Sequence, residues 1–257
     1  MDKVLLVTDL HMTLPDKKII DLDPQVRLRK VLDQAAREHG DALMMIAMGD
    51  LAHWGGNREY ARLKETLKGY PWPIHLMIGN HDNRANFRKA FPDTPTTEDG
   101  HVQRTLDVGE WRLILLDSHD EKFEAPIHSG ILCEQRIAWL RAQLVAAKDR
   151  RVIICIHHPP MRTFFDGMDE IGLRNQEELL ALLAEYPNVE QVVAGHIHRT
   201  ISGIAGGLPI SVFKSPCHQM PLVLGEPGSD HSIDEPGAYG LLLLHAGGVT
   251  IHTQDVF

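Results

Sequence analysis

The sequence predicts an α/β fold, and two observations support this prediction. Short apolar runs rich in β-branched and long aliphatic residues recur through the first three quarters of the chain, as expected of buried strands. Segments with the apolar spacing of helices lie between these runs. Regular alternation of strands and helices is typical of sheets covered by helices. The predicted strands span residues 3–8, 42–47, 74–78, 111–116, 152–156 and 189–194.

Two of the intervening segments carry clear helix signals. Asp23 suits the N-cap position and Pro24 suits the first helical residue. The apolar residues Val26, Val31 and Ala35 then fall near one face of the predicted helix. A second helix is predicted after the fourth strand, where an apolar stripe is formed by Ile137, Leu140 and Leu144.

The C-terminal part of the chain has a different pattern. Residues 200–213 and 239–253 resemble strands joined by Gly- and Pro-rich turns, with little helix between them. We therefore expect a single domain over residues 1–257, in which residues 200–257 form the C-terminal part of a second, more antiparallel sheet. Residues 222–236 combine Gly, Pro and acidic residues, which predicts an exposed loop.

Composition excludes several functional classes. A chain of 257 residues with 43% hydrophobic and 24% charged residues can bury the core of one globular domain. The formal charge of −9 argues against a nucleic-acid polymer as partner, because such binding needs clustered cations. No apolar run approaches a membrane span, so we expect no membrane association and a cytoplasmic location. The cysteines Cys133, Cys155 and Cys217 are too far apart for a thiolate zinc motif, so any metal must be held mainly by oxygen and nitrogen.

Metal-ligand residue types follow almost every predicted strand. Because the carboxyl ends of strands in an open α/β sheet converge on one crevice, these distant residues can meet in one place. The glycines at positions 49, 79 and 195 allow sharp turns there and close approach of the backbone to metals. One candidate ligand from each position gives Asp9, His11, Asp50, Asn80, His157, His196 and His198. So many ligands exceed a single tetrahedral zinc site but suit two metals ~3.5 to 4 Å apart that share a carboxylate.

The charge of such a centre predicts its chemistry. Two divalent ions bring four positive charges, and Asp9 and Asp50 return two negative charges. The surplus can lower the pKa of a bridging water toward ~7 and can attract an anionic phosphodiester. We therefore predict phosphodiester hydrolysis by attack of a metal-bridging hydroxide.

The ligand blocks read D-L-H, G-D, G-N-H-D, H-H-P-P and G-H-I-H, and their order and spacing resemble the calcineurin-like metallophosphoesterase superfamily. Residues 167–173 and 215–219 resemble its bacterial class III branch, which contains cyclic-nucleotide and glycerophosphodiester phosphodiesterases. The resemblance implies a four-layer α/β/β/α sandwich of two mixed sheets flanked by helices. It also implies a homo-oligomer, a dimer in which residues 200–257 form a contact or cap.

The same resemblance implies individual roles. Asp9, His11, Asp50 and His198 would hold the first metal, and the second would be held by bridging Asp50 with Asn80, His157 and His196. His81 would contact the substrate phosphate and protonate the leaving oxygen, and Asp82 would orient His81. At position 53 the family often has an aspartate, whereas this chain has His53.

Several alternatives stay open. The first choice of substrate is a 3′,5′-cyclic nucleotide, and the alternatives are a glycerophosphodiester or a broad range of diesters and monoesters. A different kind of alternative is that the chain is a catalytically silent metal-binding scaffold. The metals can be Fe, Mn, Zn or Co. His158, His218, Phe164 and Phe165 fit either a structural role or the substrate pocket. Isolated histidines such as His128 are expected to be structural.

Overall fold

The computed structural model of the protein describes residues 1–121 and 126–257. The strands are β1 (Asp2–Val7), β2 (Met44–Met48), β3 (Ile74–Met77), β4 (Arg104–Val108), β5 (Trp111–Leu115), β6 (Arg151–Ile156), β7 (Val189–Ala194), β8 (Ile201–Ala205), β9 (Leu208–Val212), β10 (Gly237–His245) and β11 (Gly248–Val256). The helices are α1 (Pro24–His39), α2 (Asn57–Thr66), α3 (Arg84–Ala90), α4 (Glu134–Ala146), α5 (Asp166–Glu170) and α6 (Gln176–Ala184). All the predicted strands are present, which confirms the α/β fold.

The strands form two mixed sheets. One has five strands in the order β11-β10-β1-β2-β3, and the other has six in the order β4-β5-β6-β7-β9-β8. The pairs β1-β2, β2-β3, β5-β6, β6-β7 and β7-β9 are parallel, and the remaining pairs are antiparallel. The expected pair of mixed sheets is therefore confirmed.

Alternation along the strands produces the four layers. In β1, Val4 and Leu6 belong to an apolar core that also contains residues of β5, β6 and β10, so this core lies between the sheets. Leu5 and Val7 point to the opposite face and join the core formed with α1 and α2. A third core joins the six-stranded sheet to α4, α5 and α6. The order of layers is helix, sheet, sheet, helix, as the resemblance implied.

Helix α1 begins as predicted, but the prediction that Val26 belongs to its buried face is wrong. The side chain of Asp23 accepts a hydrogen bond from the Gln25 backbone N–H at 2.8 Å, which caps the helix. Val31 and Ala35 are buried, whereas Val26 is 62% exposed. The buried stripe instead follows the i, i+3, i+4, i+7 spacing of Leu28, Val31, Leu32 and Ala35. In α4, Leu140 and Leu144 are fully buried and Ile137 packs against the same core.

The prediction that residues 200–257 belong to one second sheet is wrong, because their strands are divided between the two sheets. Strands β8 and β9 extend the six-stranded sheet beyond β7. Strands β10 and β11 instead belong to the five-stranded sheet, where β10 lies between β11 and β1. The first six residues of β10 are all buried, so this strand needs a neighbour on each side and a core on each face. The extent of the domain, 1–257, stays a prediction.

The topology places the ends of five strands at one edge of the molecule. Strands β1, β2 and β3 run parallel in the first sheet, and β6 and β7 run parallel in the second. The residues that follow these strands therefore approach one another across the gap between the sheets. In the described residues, no helix combines the length and apolarity needed to cross a membrane.

Candidate metal centre

The structure brings all seven predicted ligands together at this edge. Asp9 and His11 follow β1, Asp50 follows β2 and Asn80 follows β3, so the first sheet supplies four of them. The second sheet supplies the other three, which follow β6 and β7: His157, His196 and His198. Six of the seven are buried, and the side chain of His198 is 12% exposed.

Four of these residues form one compact group of donor atoms. In Asp9, His11, Asp50 and His198, one ligand atom from each lies within 4.8 Å of the others. The Nε2 atoms of His11 and His198 are 2.9 Å apart. Asp9 Oδ1 lies 3.3 Å from His198 Nε2, and Asp50 Oδ2 lies 3.6 Å from His11 Nε2. This group is the set that the resemblance implies for the first metal.

A second group of donors lies on the other side of Asp50. His157 Nε2 is 3.4 Å from Asp50 Oδ1 and 3.1 Å from Asn80 Oδ1. The ring of His196 has its centroid 5.3 Å from that of His157. Asp50 thus directs Oδ2 toward His11 and Oδ1 toward His157, which is the arrangement that a bridging carboxylate needs.

The histidine rings are oriented by hydrogen bonds at the nitrogen that faces away from the cluster. His157 Nδ1 donates to the backbone carbonyl of Met48 at 2.9 Å. His198 Nδ1 donates to the carbonyl of His218 at 3.0 Å. A hydrogen bond at Nδ1 fixes the ring and leaves Nε2 directed at the cluster, as is usual for metal-binding histidines.

The backbone at the cluster is strained. The left-handed region, with positive φ, is uncommon for residues other than glycine and is found where the surrounding structure enforces it. Most of the predicted ligands adopt it, namely Asp9 (56°), His11 (44°), Asp50 (48°), His196 (70°) and His198 (54°). Several neighbouring turns therefore share a costly conformation that directs their side chains to one point.

Two glycines allow these turns to pack together. A Cβ at Gly195 would lie 1.9 Å from Thr8 Oγ1 and 2.8 Å from Asp9 Oδ2. A Cβ at Gly79 would lie 2.3 Å from Asp50 Oδ1. Any side chain at either position would displace a predicted ligand, which agrees with the close approach expected from the sequence.

The donor set fits metal ions. Burial raises the pKa of Asp50, but the imidazoles of His157 and His81 outweigh it and hold that pKa well below its usual value. Burial lowers the pKa of His196, so its ring is neutral. Among residues 1–121 and 126–257, the buried His196 Nε2 has no hydrogen-bond partner. A cationic centre would balance the negative charge of the two buried carboxylates, Asp9 and Asp50. It would also provide a partner for this imidazole nitrogen.

His81 is held at the wall of an adjoining cavity. Its backbone N–H donates to Asp50 Oδ1 at 2.9 Å, and its ring Nδ1 donates to the carbonyl of His53 at 2.8 Å. The ring lines a cavity of about 400 Å³ that opens beside the metal-ligand candidates. Because Nδ1 is engaged, Nε2 is the nitrogen left for a substrate in this cavity.

The predicted role of Asp82 as the partner of His81 is wrong, because its carboxylate is engaged elsewhere. Its donors are three backbone N–H groups and one hydroxyl, from Leu51 (3.1 Å), Ala52 (3.1 Å), Gly79 (2.9 Å) and Tyr60 (2.8 Å). These bonds tie the turn after β3 to the turn after β2. Asp82 is therefore a positioning residue for the turns that carry Asp50 and Asn80.

Two histidines outside the predicted ligand set complete the site. The ring of His81 is stacked between those of His53 and His128, with centroid distances of 5.2 and 5.0 Å and interplanar angles of 21° on each side. His128 Nδ1 also accepts from Asn80 Nδ2 at 3.2 Å, which fixes Asn80 Oδ1 toward His157. No role was predicted for His128, because no predicted ligand flanks it in the sequence.

At the position of the family's frequent aspartate, His53 contacts a predicted ligand. The Nδ1 atoms of His53 and His11 are 3.1 Å apart, so one donates to the other. The His11 ring thus has an imidazole as its partner, at a position where the family often has a carboxylate.

The residues left open by the sequence have different positions. His158 Nε2 donates to the carbonyl of His128 at 3.1 Å, and its Nδ1 accepts from Ser118 Oγ at 2.8 Å, which favours the structural role. His218 lines the cavity. Phe165 packs in a core, whereas Phe164 is 59% exposed beside Arg162. In the same segment of the chain, Met168 and Ile171 line the cavity instead.

Comparison with known proteins agrees with this geometry. Residues 2–200 match the family described as calcineurin-like phosphoesterase. The chain belongs to this family. Within it, the chain is 36% identical to a Rhodopseudomonas palustris protein named "Probable cyclic nucleotide phosphodiesterase", over 97% of this chain and 91% of that protein. It is 32% identical to the 3′,5′-cyclic adenosine monophosphate phosphodiesterase CpdA of Pseudomonas aeruginosa, over 95% of this chain and 87% of that protein.

A further family member has a different name. The "Probable glycerophosphodiester phosphodiesterase GpdQ" of Arcobacter nitrofigilis is 32% identical, over 83% of this chain and 78% of that protein. Among solved structures, a dimetal phosphatase from Danio rerio superposes with a TM-score of 0.72 at 16% identity, covering 100% of this chain and 99% of that one. At this identity, the superposition supports the fold alone.

Proposed function

We propose that this phosphoesterase is a dinuclear metal-dependent phosphodiesterase that hydrolyses 3′,5′-cyclic nucleotides. The observation that carries the proposal is the position of Asp50 between two groups of donors, with Oδ2 3.6 Å from His11 and Oδ1 3.4 Å from His157. A shared carboxylate between two sets of oxygen and nitrogen donors suits a pair of metal ions.

The assignment of ligands follows the two groups. One ion would be held by Asp9, His11, Asp50 and His198, and the other by Asp50, Asn80, His157 and His196. Bound there, the ions would supply an activated water and neutralise charge on the phosphate. Fe, Mn, Zn and Co are all compatible with these donors, and elemental analysis of the purified protein identifies the metals.

His81 is the residue proposed to transfer a proton. Its stacking between His53 and His128 and the hydrogen bond at Nδ1 hold its ring at the cavity wall. A proton at Nε2 is then positioned for donation to the leaving oxygen of a substrate whose phosphate lies over the ligand cluster.

The cavity and the relatives support the substrate class. A volume of about 400 Å³ lies within the range of small-molecule sites and accommodates a mononucleotide. Two of the relatives are named for cyclic nucleotides. The second candidate is a glycerophosphodiester, which the name of the Arcobacter relative favours.

Direct assay tests the proposal. Purified protein supplemented with each candidate metal is expected to hydrolyse cyclic AMP, with lower kcat/KM on glycerophosphocholine and bis(p-nitrophenyl) phosphate. Chelation is expected to abolish turnover. Hydrolysis of glycerophosphocholine in preference to cyclic AMP would favour the second candidate, and no turnover of any of the three would contradict a phosphodiesterase.

Asn80→Ala tests the second metal position. The substitution removes the Oδ1 that lies 3.1 Å from His157 Nε2, so we expect kcat to fall roughly 10²- to 10³-fold. Bound metal is expected to fall from two ions to one while circular dichroism stays unchanged. Asn86→Ala, at a part-buried position in α3, is the control and is expected to keep both metals. An unchanged rate in Asn80→Ala would contradict the assigned role and favour a silent scaffold.

The proposed dimer and the cytoplasmic location stay predictions. Light scattering of the purified protein measures the first, and fractionation of the source cells measures the second.

A further inference from the structure

A tight hairpin projects an isoleucine at the mouth of the catalytic cavity. Ile19 and Leu22 exchange two backbone hydrogen bonds of 3.0 and 2.8 Å, so Ile20 and Asp21 form a two-residue turn. Both turn residues have positive φ, 44° at Ile20 and 68° at Asp21. This conformation is that of a type I′ turn, in which glycine, asparagine and aspartate are the favoured residues.

Isoleucine is an unfavourable residue at this position for two separate reasons. A β-branched side chain at positive φ is strained, since its Cβ crowds the backbone. The side chain is also 44% exposed, so it gains only part of the stabilisation that burial of an aliphatic group provides. A residue that is both strained and exposed, beside a catalytic site, points to a contact with a ligand.

One arginine contacts the chain on both sides of the hairpin. Arg62 Nη1 donates to the carbonyl of Thr13 at 2.9 Å, where the segment leaves the metal cluster. Arg62 Nη2 donates to both carboxylate oxygens of Asp23 at 3.0 and 2.9 Å, where the segment enters α1. These contacts restrain the segment that carries the turn, which lowers the cost of ordering Ile20 when a ligand binds.

The cavity has further apolar lining residues besides Ile20. Ile19 and Ile20 line it together with Met168, Ile171 and Met220. Residues 229–232, which are Ser, Asp, His and Ser, line the same cavity and add hydrogen-bonding groups. The cavity thus combines apolar walls with a polar segment, next to the ligand cluster.

We infer that Ile20 is a specificity-determining residue, which packs on the face of the nucleobase of the substrate. The inference rests on the proposed cyclic-nucleotide function. A purine or pyrimidine ring has a flat face that gains from contact with apolar side chains and polar edges that need hydrogen bonds, and this cavity offers both. A glycerol or choline group has no such face and gains less from Ile20.

The test compares two substrates that differ only in the base. One is cyclic AMP, and the other is the 3′,5′-cyclic phosphate of 1-deoxyribose, which has the same sugar and diester but no base. For Ile20→Asn, we expect the preference for cyclic AMP, as the ratio of the two kcat/KM values, to fall roughly tenfold. Asparagine tolerates the left-handed turn, so the hairpin is expected to keep its conformation.

Two further variants serve as controls. Ile20→Val keeps an apolar branched side chain and is expected to retain most of the wild-type preference for cyclic AMP. Asp21→Asn changes the neighbouring residue of the same turn, which does not line the cavity, and is expected to keep the wild-type ratio. Thermal unfolding followed by circular dichroism verifies that each variant is folded.

The outcomes separate the two proposals. An unchanged ratio in Ile20→Asn, with cyclic AMP still hydrolysed by the wild type, overturns the inference and leaves the proposed function standing. This holds equally when both kcat/KM values fall by the same factor, since the residue then acts on the diester and not on the base. Absence of cyclic AMP hydrolysis by the wild-type protein is the distinct result that defeats the proposed function.

Discussion

The floor and the wall of the cavity beside the predicted metal ligands are built in different ways. The floor is the cluster of predicted metal ligands, five of which line the cavity. These ligands follow strands of both sheets, and hydrogen bonds to backbone carbonyls orient the rings of His157 and His198. The wall consists of Ile20, Met168, Ile171, Met220 and residues 229–232, which belong to loops or to the short helix α5. Strand ends give the reacting groups precise positions, whereas loops can change the substrate without disturbing those groups.

We therefore expect substitutions in the floor and substitutions in the wall to have different measurable effects. Damage to the floor is expected to remove metal, stability and turnover together. Damage to the wall is expected to change KM and substrate preference while the metals stay bound.

The largest effect is expected from Gly195→Ala, in the floor. The new Cβ would lie 1.9 Å from Thr8 Oγ1, in a region where Thr8 also donates to Asp9 Oδ2 at 2.7 Å. Relief of this clash must move the turn after β7 or the Asp9 carboxylate. We expect a loss of about 1 to 3 kcal/mol in the free energy of unfolding, typical of overpacking, and a fall in kcat of roughly 10²-fold or more.

Urea denaturation, metal titration and steady-state kinetics measure these changes. Gly247→Ala is the matched control, because its Cβ would meet only the side chain of His245, at 3.2 Å or more. Tight binding of both metals by Gly195→Ala, with normal turnover, would show that the floor tolerates displacement and would remove the distinction between floor and wall.

The sequence predicted the floor but not the wall, and the reason is physical. Each ligand lies within four residues of the end of a strand, so local periodicity and the convergence of strand ends suffice to place it. In the sequence, Ile20 is indistinguishable from an ordinary core residue. Its positive φ and its exposure, which make isoleucine unfavourable there, are visible only in the structure. Asp82 shows a further limit of prediction from sequence. Its position next to His81 in the sequence did not indicate from which groups its carboxylate accepts hydrogen bonds.

The glycines that adjoin wall residues in the sequence show the same limit of sequence-based prediction. Gly167 belongs to a segment that was recognised by resemblance, and the structure supplies a physical reason for the residue. A Cβ there would lie 2.0 Å from the carbonyl oxygen of Gly228, more than sixty residues later in the chain. Contacts between such distant loops leave no periodic signal in a single sequence.

His128→Ala is expected to have an intermediate effect, because His128 lies where floor and wall meet. The variant removes the acceptor for Asn80 Nδ2 and one of the two rings stacked on His81. Loss of such a supporting partner typically costs 10- to 100-fold in metal affinity or activity, and we expect kcat to fall by roughly this factor. Cyclic AMP kinetics together with titration of the second metal measure the effect.

His128→Gln is the rescue variant, since its amide oxygen can accept from Asn80 and restore metal affinity without restoring the stack. His252→Ala, at an exposed position of β11, is the neutral control. If His128→Ala raised KM alone and left metal affinity intact, His128 would belong to the wall and its hydrogen bond to Asn80 would be unimportant.

The smallest effect is expected from Gly167→Ala, next to the wall residue Met168. The methyl group would press on the backbone of Gly228 and shift residues 229–232, which line the cavity. We expect KM for cyclic AMP to rise about threefold to tenfold, on the scale of a lost binding contact, while both metals stay bound. Kinetics and elemental analysis on the same preparation measure the two quantities, with Gly247→Ala again as control. Loss of metal in this variant would mean that strain travels from the loops to the strand ends, so that floor and wall act as one unit.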